Sequence, residues 1–395
     1  MHRHLIPGLG PSQRAGGMPW SGVREILDLA LQCPDPIRLE VGEPTFPTPE
    51  HIVQGAVKAA QDGYTKYTAN AGLFSLRTAI AKRYQRLYGV HVEPEQVIAT
   101  AGGITAIATT FIALTDLGDS ILLPNPCWPN YEMLCALLGL GVQRYPLQPE
   151  AFIPDIAQME AQIDDSTRVL VVNSPANPTG AVFSEDILKN LLLFAQKHGL
   201  FILADEVYDE LVFTATPYRS FLQVAADEPH RVVIVNSFSK TYAMTGWRVG
   251  YAICPQGLSE TLARLQEAFT ASPCAIAQKA AETALEGPQE IVAEMRETYR
   301  RRRDMCLVEA EKLGLRVIKP EGTFYMMIDI TESAQPSRDF AKDLLMSESV
   351  AVAPGDTFGP QGEGFIRISL ASKEEDLREG LRRIQRYLGT SPKQI

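Results

Sequence analysis

The chain has 395 residues, with 37 Lys and Arg against 47 Asp and Glu, for a formal net charge of −10. That length exceeds what one compact core supports and points to two domains, while the acidic balance argues against nucleic acid as the main partner. Six cysteines without a Cys-x-x-Cys spacing, and six histidines that form no ligand pair with them, point to reduced thiols in a cytoplasmic protein and to no metal site.

From the N-terminus, residues 1–8 lack the apolar stretch of a signal peptide, and the Pro- and Gly-rich residues 7–19 suit either a mobile lid or an unordered end. Residues 96–115 carry no charge across 20 residues, the length of a membrane span, yet they hold Gly102, Gly103 and five threonines. A strand from Val97, a paired-glycine turn and a helix explain them better, with Ile104, Ile107, Ala108, Phe111 and Ile112 on one helix face. No membrane span is expected. Gly102 and Gly103 then turn backbone N–H groups and the helix dipole toward an anion. Residues 120–123 read as a strand, and Trp128 follows it, placed for ring stacking or for core packing.

The apolar run 169–173 is a second buried strand, opening into a turn at Asn177 and Pro178 that presents an amide at the strand edge. After a helix over 184–197, the run 201–205 ends in Asp205, as expected where a parallel strand delivers a carboxylate at its carboxyl end. Asp205 can pair with a protonated ring nitrogen or cap the next element, and Tyr208 can serve the same edge or pack beneath the sheet. Lys240 lies 248 − 240 = 8 residues before Arg248, in a segment that also holds Ser237 and Ser239. A lysine with a free pKa of about 10.4 becomes a Schiff-base nucleophile only where desolvation or a neighbouring cation lowers it, and hydroxyls beside an arginine fork suit a phosphate.

Strands alternating with helices between about 97 and 253 indicate a doubly wound α/β unit. A long helix over 291–313 carries Arg300 to Arg303, whose side chains point in different directions; a solvated, partly ion-paired helix explains them better than a nucleic-acid patch. Strands over 315–318, 324–328, 350–353 and 365–368, with helices near 337–347 and 373–386, make a smaller α/β unit. Arg367 alternates with apolar residues in the last strand, a pattern that by itself fits a surface arginine.

In order and spacing, the segments 41–44, 64–72, 173–180, 205–208, 237–248 and 365–369 together resemble the class I and II aminotransferases of the pyridoxal-phosphate (PLP) fold-type I superfamily, in the branch of prokaryotic aspartate and aromatic aminotransferases. The resemblance implies a three-layer PLP-binding large domain with a mostly parallel sheet over 48–287. It also implies a smaller α/β C-terminal domain built from 1–47 and 288–395, with the N-terminal segment as a lid. It implies Lys240 as the Schiff-base lysine and proton carrier, Asp205 as partner of the pyridine nitrogen, Tyr208 and Asn177 as partners of the ring's 3′-oxygen, and Trp128 as the stacking aromatic. Gly102, Gly103, Ser237 and Arg248 match the phosphate cradle, with Ser239 as a further hydroxyl. Tyr67 matches a tyrosine that reaches the phosphate from the neighbouring subunit of a homodimer. Arg367, with Asn177 and Gly42 beside it, matches the fork for the substrate α-carboxylate.

The activity implied is ping-pong transfer of an amino group from an L-amino acid to a 2-oxo acid, with 2-oxoglutarate as the expected acceptor. Relatives that prefer aspartate carry a basic residue just after the paired glycines, where this chain has Ile104. That points to apolar or aromatic donors, with aspartate as the alternative if Arg14, Arg24 or a partner-chain group meets a second carboxylate. A carbon–sulfur β-lyase on the same scaffold is a further reading. An effector-sensing regulator is disfavoured, since few residues precede Gly42 for a DNA-binding domain.

Overall fold

A computed structural model describes residues 10–390. Residues 7–9 of the expected lid, and the whole 1–8 stretch, lie outside the described residues; from residue 10 the segment is exposed and holds one helical turn, Gln13–Gly16, capped by Ser12.

An eight-stranded sheet runs in the order Val97–Thr100, Gly250–Ile253, Val232–Ser237, Phe201–Asp205, Thr167–Asn173, Ser120–Asn125, Gly141–Gln148, Ile153–Pro154. The five strands from Val232–Ser237 to Gly141–Gln148 are mutually parallel, whereas Gly250–Ile253 and Ile153–Pro154 pair antiparallel with their neighbours. The central strands are buried on both faces, which is why they are unbroken apolar runs. Leu170, Val172, Ile202, Ala204 and Ile234 face a core shared with the helix Glu185–Lys197, while Val169, Val171, Leu203, Val233 and Val235 face another shared with the helix Gly103–Leu114.

The helix Gly103–Leu114 departs from the one-sided pattern expected of it. Ala106, Thr109 and Thr110 are buried as well as Ile107, Ala108 and Phe111, and Ile104 and Ile112 are only half-buried. The helix is enclosed because it packs between the sheet and the helix Gln256–Thr270. Its threonines fit there by donating back along the helix, Thr109 to Thr105 O at 2.9 Å and Thr110 to Ala106 O at 2.7 Å. Among the described residues no helix is long and apolar enough to cross a membrane.

A second sheet runs Val317–Ile318, Tyr325–Asp329, Phe365–Ser369, Ala353–Pro354. The strand expected over 350–353 is split between two sheets, since Val350–Ala351 pairs in parallel with Ile37–Arg38. Through that pairing the N-terminal segment joins the second core, where Ile26 and Leu39 pack with Phe340, Leu344, Ile366 and Leu381. The helix Glu290–Leu313 covers the same core. Arg300 ion-pairs with Glu297 at 2.6 Å and Asp304 at 3.1 Å, as expected of a solvated face. Arg303 instead is buried, its guanidinium 4.9 Å from the Phe213 ring centroid and 2.6 Å from Asp304.

Beneath the carboxyl ends of the parallel strands lies a buried ion pair. Arg83 Nη2 is 2.8 Å from Asp209 Oδ2, which also accepts from the Tyr88 hydroxyl at 2.6 Å and from Asn236 Nδ2 at 3.0 Å. This ties the helix Phe74–Tyr88 to the turn after Phe201–Asp205 and to the strand that leads to Lys240. Removing one partner leaves a buried charge unpaired, so Arg83→Leu should lower stability by about 3–5 kcal/mol in urea unfolding. A loss below about 1 kcal/mol would show the pair to be dispensable.

Candidate active site

Sheet register places the site. Asn173 pairs with Asp205, and Asp205 with Val235, so three neighbouring strands end at one level. Asp205 is 5% exposed and sits where its strand turns. Its Oδ1 accepts from Val207 N at 3.2 Å, and its Oδ2 accepts from the Tyr131 hydroxyl. Burial pushes this carboxyl up to about 6, against which the two hydrogen bonds act. No cation pairs with it among the described residues.

Trp128, half-buried, stands edge-on to Tyr131 with ring centroids 5.5 Å apart. The helix Asn130–Leu138 brings the hydroxyl that holds Asp205, and the aromatic expected to stack lies just before its start. Asn177 is buried. Its backbone N donates to Asn173 Oδ1 at 2.8 Å, and its Oδ1 accepts from Arg367 Nη1 at 2.9 Å.

At the other end, Gly102 has φ +83 and precedes the helix Gly103–Leu114. A Cβ at Gly102 would lie 2.4 Å from Arg248 Nη2, so only glycine lets the guanidinium this close. Gly103 faces Ser237, whose Cβ would be 3.6 Å away from a Cβ built there. Ser237 Oγ caps the short helix Phe238–Thr241 and lies 2.9 Å from Ser239 Oγ. Arg248 is exposed and donates to Thr245 O at 2.8 Å. A helix N-terminus, two hydroxyls and an arginine thus face one space.

Lys240 lies on the short helix that Ser237 caps. Its Nζ donates to Gly42 O at 2.6 Å and stands 5.7 Å from the Phe324 ring centroid. Burial pushes its ammonium below the ordinary lysine range, partly offset by Tyr325 and Glu43, with Arg367 and Arg248 adding to the lowering. That is the direction a nucleophilic amine needs.

Arg367 is 3% exposed, so the surface reading of its pattern is overturned. The residues 39–42 cover its side of the sheet: Nη2 donates to Glu40 O at 2.7 Å. Its guanidinium lies 4.1 Å from the Tyr325 ring centroid and 4.8 Å from that of Phe358. Nε has no partner. The Tyr208 hydroxyl is 3.0 Å from that of Tyr325.

The structure thus brings together Lys240, Asp205, Tyr208, Asn177, Arg367, Gly42, Gly102, Gly103, Ser237, Arg248 and Trp128. It does not bring Tyr67 to them within one chain, for Tyr67 is 90% exposed. Tyr131, Tyr325, Phe358 and Glu40 were missed in the sequence. Tyr131 alone had a local signal, three residues beyond Trp128 on a helix start.

Residues 34–384 match the description "aminotransferase class I and II". The aspartate/prephenate aminotransferase of Thermus thermophilus is 39% identical over 367 residues, 92% of this chain and 94% of its own length. The aromatic-amino-acid aminotransferase 2 of Thermococcus litoralis is 34% identical over 372 residues, 93% of this chain and 95% of its own. The structure of the Thermus thermophilus aspartate aminotransferase with maleate superposes with a TM-score of 0.91 at 37% identity, covering 96% of this chain and 100% of that one. The chain belongs to the class I and II aminotransferases, PLP-dependent enzymes of fold type I whose substrates are amino and 2-oxo acids.

The residues present fit that cofactor. A buried carboxylate without a cation, a lysine of lowered basicity and an anion cradle correspond to a pyridine nitrogen, an aldehyde and a phosphate. Without the cofactor, Asp205 carries a linkage of definite sign. Its folded-state value near 6 exceeds its ordinary 3.8, so the folded chain binds more protons than the unfolded one between these values, and stability falls as pH rises through that window. A shift of two units corresponds to about 3 kcal/mol. Urea unfolding of the cofactor-free protein should show Asp205→Asn removing most of that slope between about pH 4 and pH 6. An unchanged slope would refute the assignment.

Proposed function

We propose that this chain is a cytoplasmic homodimeric aminotransferase that works by a ping-pong cycle, accepts apolar or aromatic L-amino acids as donors, and uses 2-oxoglutarate as acceptor. The observation that carries the site assignment is a pair of buried charged groups that make no ion pair among the described residues, Asp205 and Arg367. PLP, when bound, supplies an aldehyde carbon for the amine and an electron-withdrawing pyridinium ring.

In this reading Asp205 holds the proton on the ring nitrogen, and Tyr208 and Asn177 donate to the ring's 3′-oxygen. Gly102, Gly103, Ser237 and Arg248 hold the phosphate, with Ser239 adding a hydroxyl and Tyr67 reaching in from a second subunit. Its 90% exposure in one chain leaves Tyr67 free for that role. Trp128 covers the ring face. Arg367 grips the substrate α-carboxylate with the donors that Asn177 and Glu40 leave free, and its fixed plane sets the orientation of the α-carbon. Lys240, as a neutral amine, moves the proton between that carbon and the cofactor's C4′. We take 48–287 as the large domain and 1–47 with 288–395 as the small domain, with the N-terminal segment closing over the substrate.

Mixing the pure protein with single amino acids and 2-oxoglutarate should give glutamate, most rapidly with phenylalanine, tyrosine or leucine. Pyruvate with ammonia would mean a lyase. Lys240→Ala should lose transamination and the visible absorbance of the lysine-bound cofactor while keeping its fold, and retained turnover would sink the assignment.

Donor choice rests on Ile104, half-buried beside the cradle in the core that also holds Trp128. The two relatives' names divide between aspartate and aromatic amino acids, so the local chemistry has to decide. An apolar side chain offers a second carboxylate nothing, whereas an ammonium there would gain a charge-assisted hydrogen bond of about 1.5–3 kcal/mol. Ile104→Lys should therefore raise kcat/KM for aspartate relative to phenylalanine by at least about tenfold. A wild type that already prefers aspartate, or a ratio that does not move, would remove Ile104 as the determinant.

A further inference from the structure

Tyr325 is buried at 2% exposure on the strand Tyr325–Asp329 and meets the site at three places. Its ring lies 4.1 Å from the Arg367 guanidinium carbon, its hydroxyl is 3.0 Å from the Tyr208 hydroxyl, and a Cβ at Gly42 would fall 1.9 Å from that same oxygen. Gly42 is in turn the residue whose carbonyl accepts from Lys240. One side chain therefore bears on the carboxylate fork, on the phenol at the cofactor's ring edge and on the backbone that holds the lysine.

Each contact has a definite physical effect. Among the described residues Arg367 hydrogen-bonds no carboxylate, and two of its donors are committed, to Asn177 Oδ1 and Glu40 O. Two hydrogen bonds to one edge leave the plane free to tilt about that edge; an aromatic face against the guanidinium stops the tilt and stabilises the buried cation. The hydroxyl contact is directional. A Tyr208 that donates its proton to the ring oxygen cannot also donate to Tyr325, so Tyr325 must be the donor in that pair, and a phenol that accepts a hydrogen bond is a stronger donor in its turn.

Resting on the functional reading above, we propose that Tyr325 is a positioning residue for both halves of the site: its ring fixes the plane of Arg367, and its hydroxyl fixes the direction in which Tyr208 donates. The charged groups around Tyr208 are Arg367 and Asp205, and those around the neighbouring Lys240 are Glu43, Arg367 and Arg248.

Two variants separate the two roles on the holoenzyme. Tyr325→Phe keeps the ring and removes the hydroxyl; Tyr325→Leu removes both. The first readout is binding of 3-phenylpropionate, a non-reacting carboxylate, followed by the change in cofactor absorbance. Tyr325→Phe should bind it within about twofold of wild type, and Tyr325→Leu at least about tenfold more weakly, as expected for loss of a desolvated cation–π contact. The second readout is the pH midpoint of the cofactor's absorbance change. Both variants should raise it by about half a unit, because a weaker Tyr208 donor lets the ring oxygen keep its proton to higher pH.

Equal affinity losses in the two variants, or a Leu variant that binds like wild type, would overturn the shelf role. A midpoint that does not move in Tyr325→Phe would overturn the hydroxyl role. If Tyr325→Leu does not load cofactor, Tyr325→Met fills more of the volume without a ring and carries the same expectation. Wild type that binds cofactor and carboxylate while the variants miss these outcomes leaves the aminotransferase reading standing and removes this proposal. Wild type that does not bind 3-phenylpropionate removes the apolar-donor reading together with this proposal.

Discussion

Burying a charge away from its counter-charge costs several kcal/mol, and the substrate end of this molecule is arranged around two such charges. Asp205 waits at the end of a parallel strand with a tyrosine hydroxyl and a backbone N–H, and Arg367 waits on the other sheet with an amide oxygen, a carbonyl and two aromatic faces. Neutral dipoles make the burial tolerable without satisfying the charge, and among the described residues neither group makes an ion pair. On the proposed reading, the two sheets have to stay in fixed relation for both to serve one ligand. The Arg83 and Asp209 pair supports one side of that arrangement from below, and the Ile37–Arg38 strand ties down the other.

The N-terminal segment contributes to the site almost entirely through its backbone. Glu40 O and Gly42 O accept from Arg367 and Lys240 respectively, so two carbonyls within three residues hold the two cations. Side chains there matter by being small or by being elsewhere. Gly42 must be bare because Tyr325 occupies the space its side chain would need, and Glu40 turns away to the Arg38 guanidinium at 2.5 Å.

What could be read from the sequence was whatever local pattern determines. Buried parallel strands must be apolar runs, so the strand ends carrying Asn173 and Asp205 stand out, as does the paired-glycine turn before a helix. Arg367 shows the limit of pattern: alternation with apolar neighbours describes its strand correctly but cannot say what covers the outward face, and only the family resemblance placed it in a site. Tyr131 reaches Asp205 across 74 positions, and Tyr208 meets Tyr325 across 117. The first pairing is set by how a helix packs on the large sheet and the second by how the two sheets meet, both properties of the whole chain. The single strand read at 350–353 failed for a similar reason, since its halves take partners from segments more than ten residues away in either direction. Carbonyl ligands such as Glu40 O leave no mark at all, because every residue has one.

Beside Asp205, Glu206 points the other way, into the core, where Ser220 Oγ and Phe221 N donate to it and burial pushes its carboxyl up to about 8. The folded chain therefore keeps this proton at neutral pH, whereas an unfolded chain, with a glutamate near 4.5, releases it. Unfolding the protein near pH 7 is then coupled to proton release into the solvent. Heat measured for that transition contains the ionisation enthalpy of whatever buffer takes the proton up, so calorimetry in phosphate and in an amine buffer will disagree although the structural transition is the same.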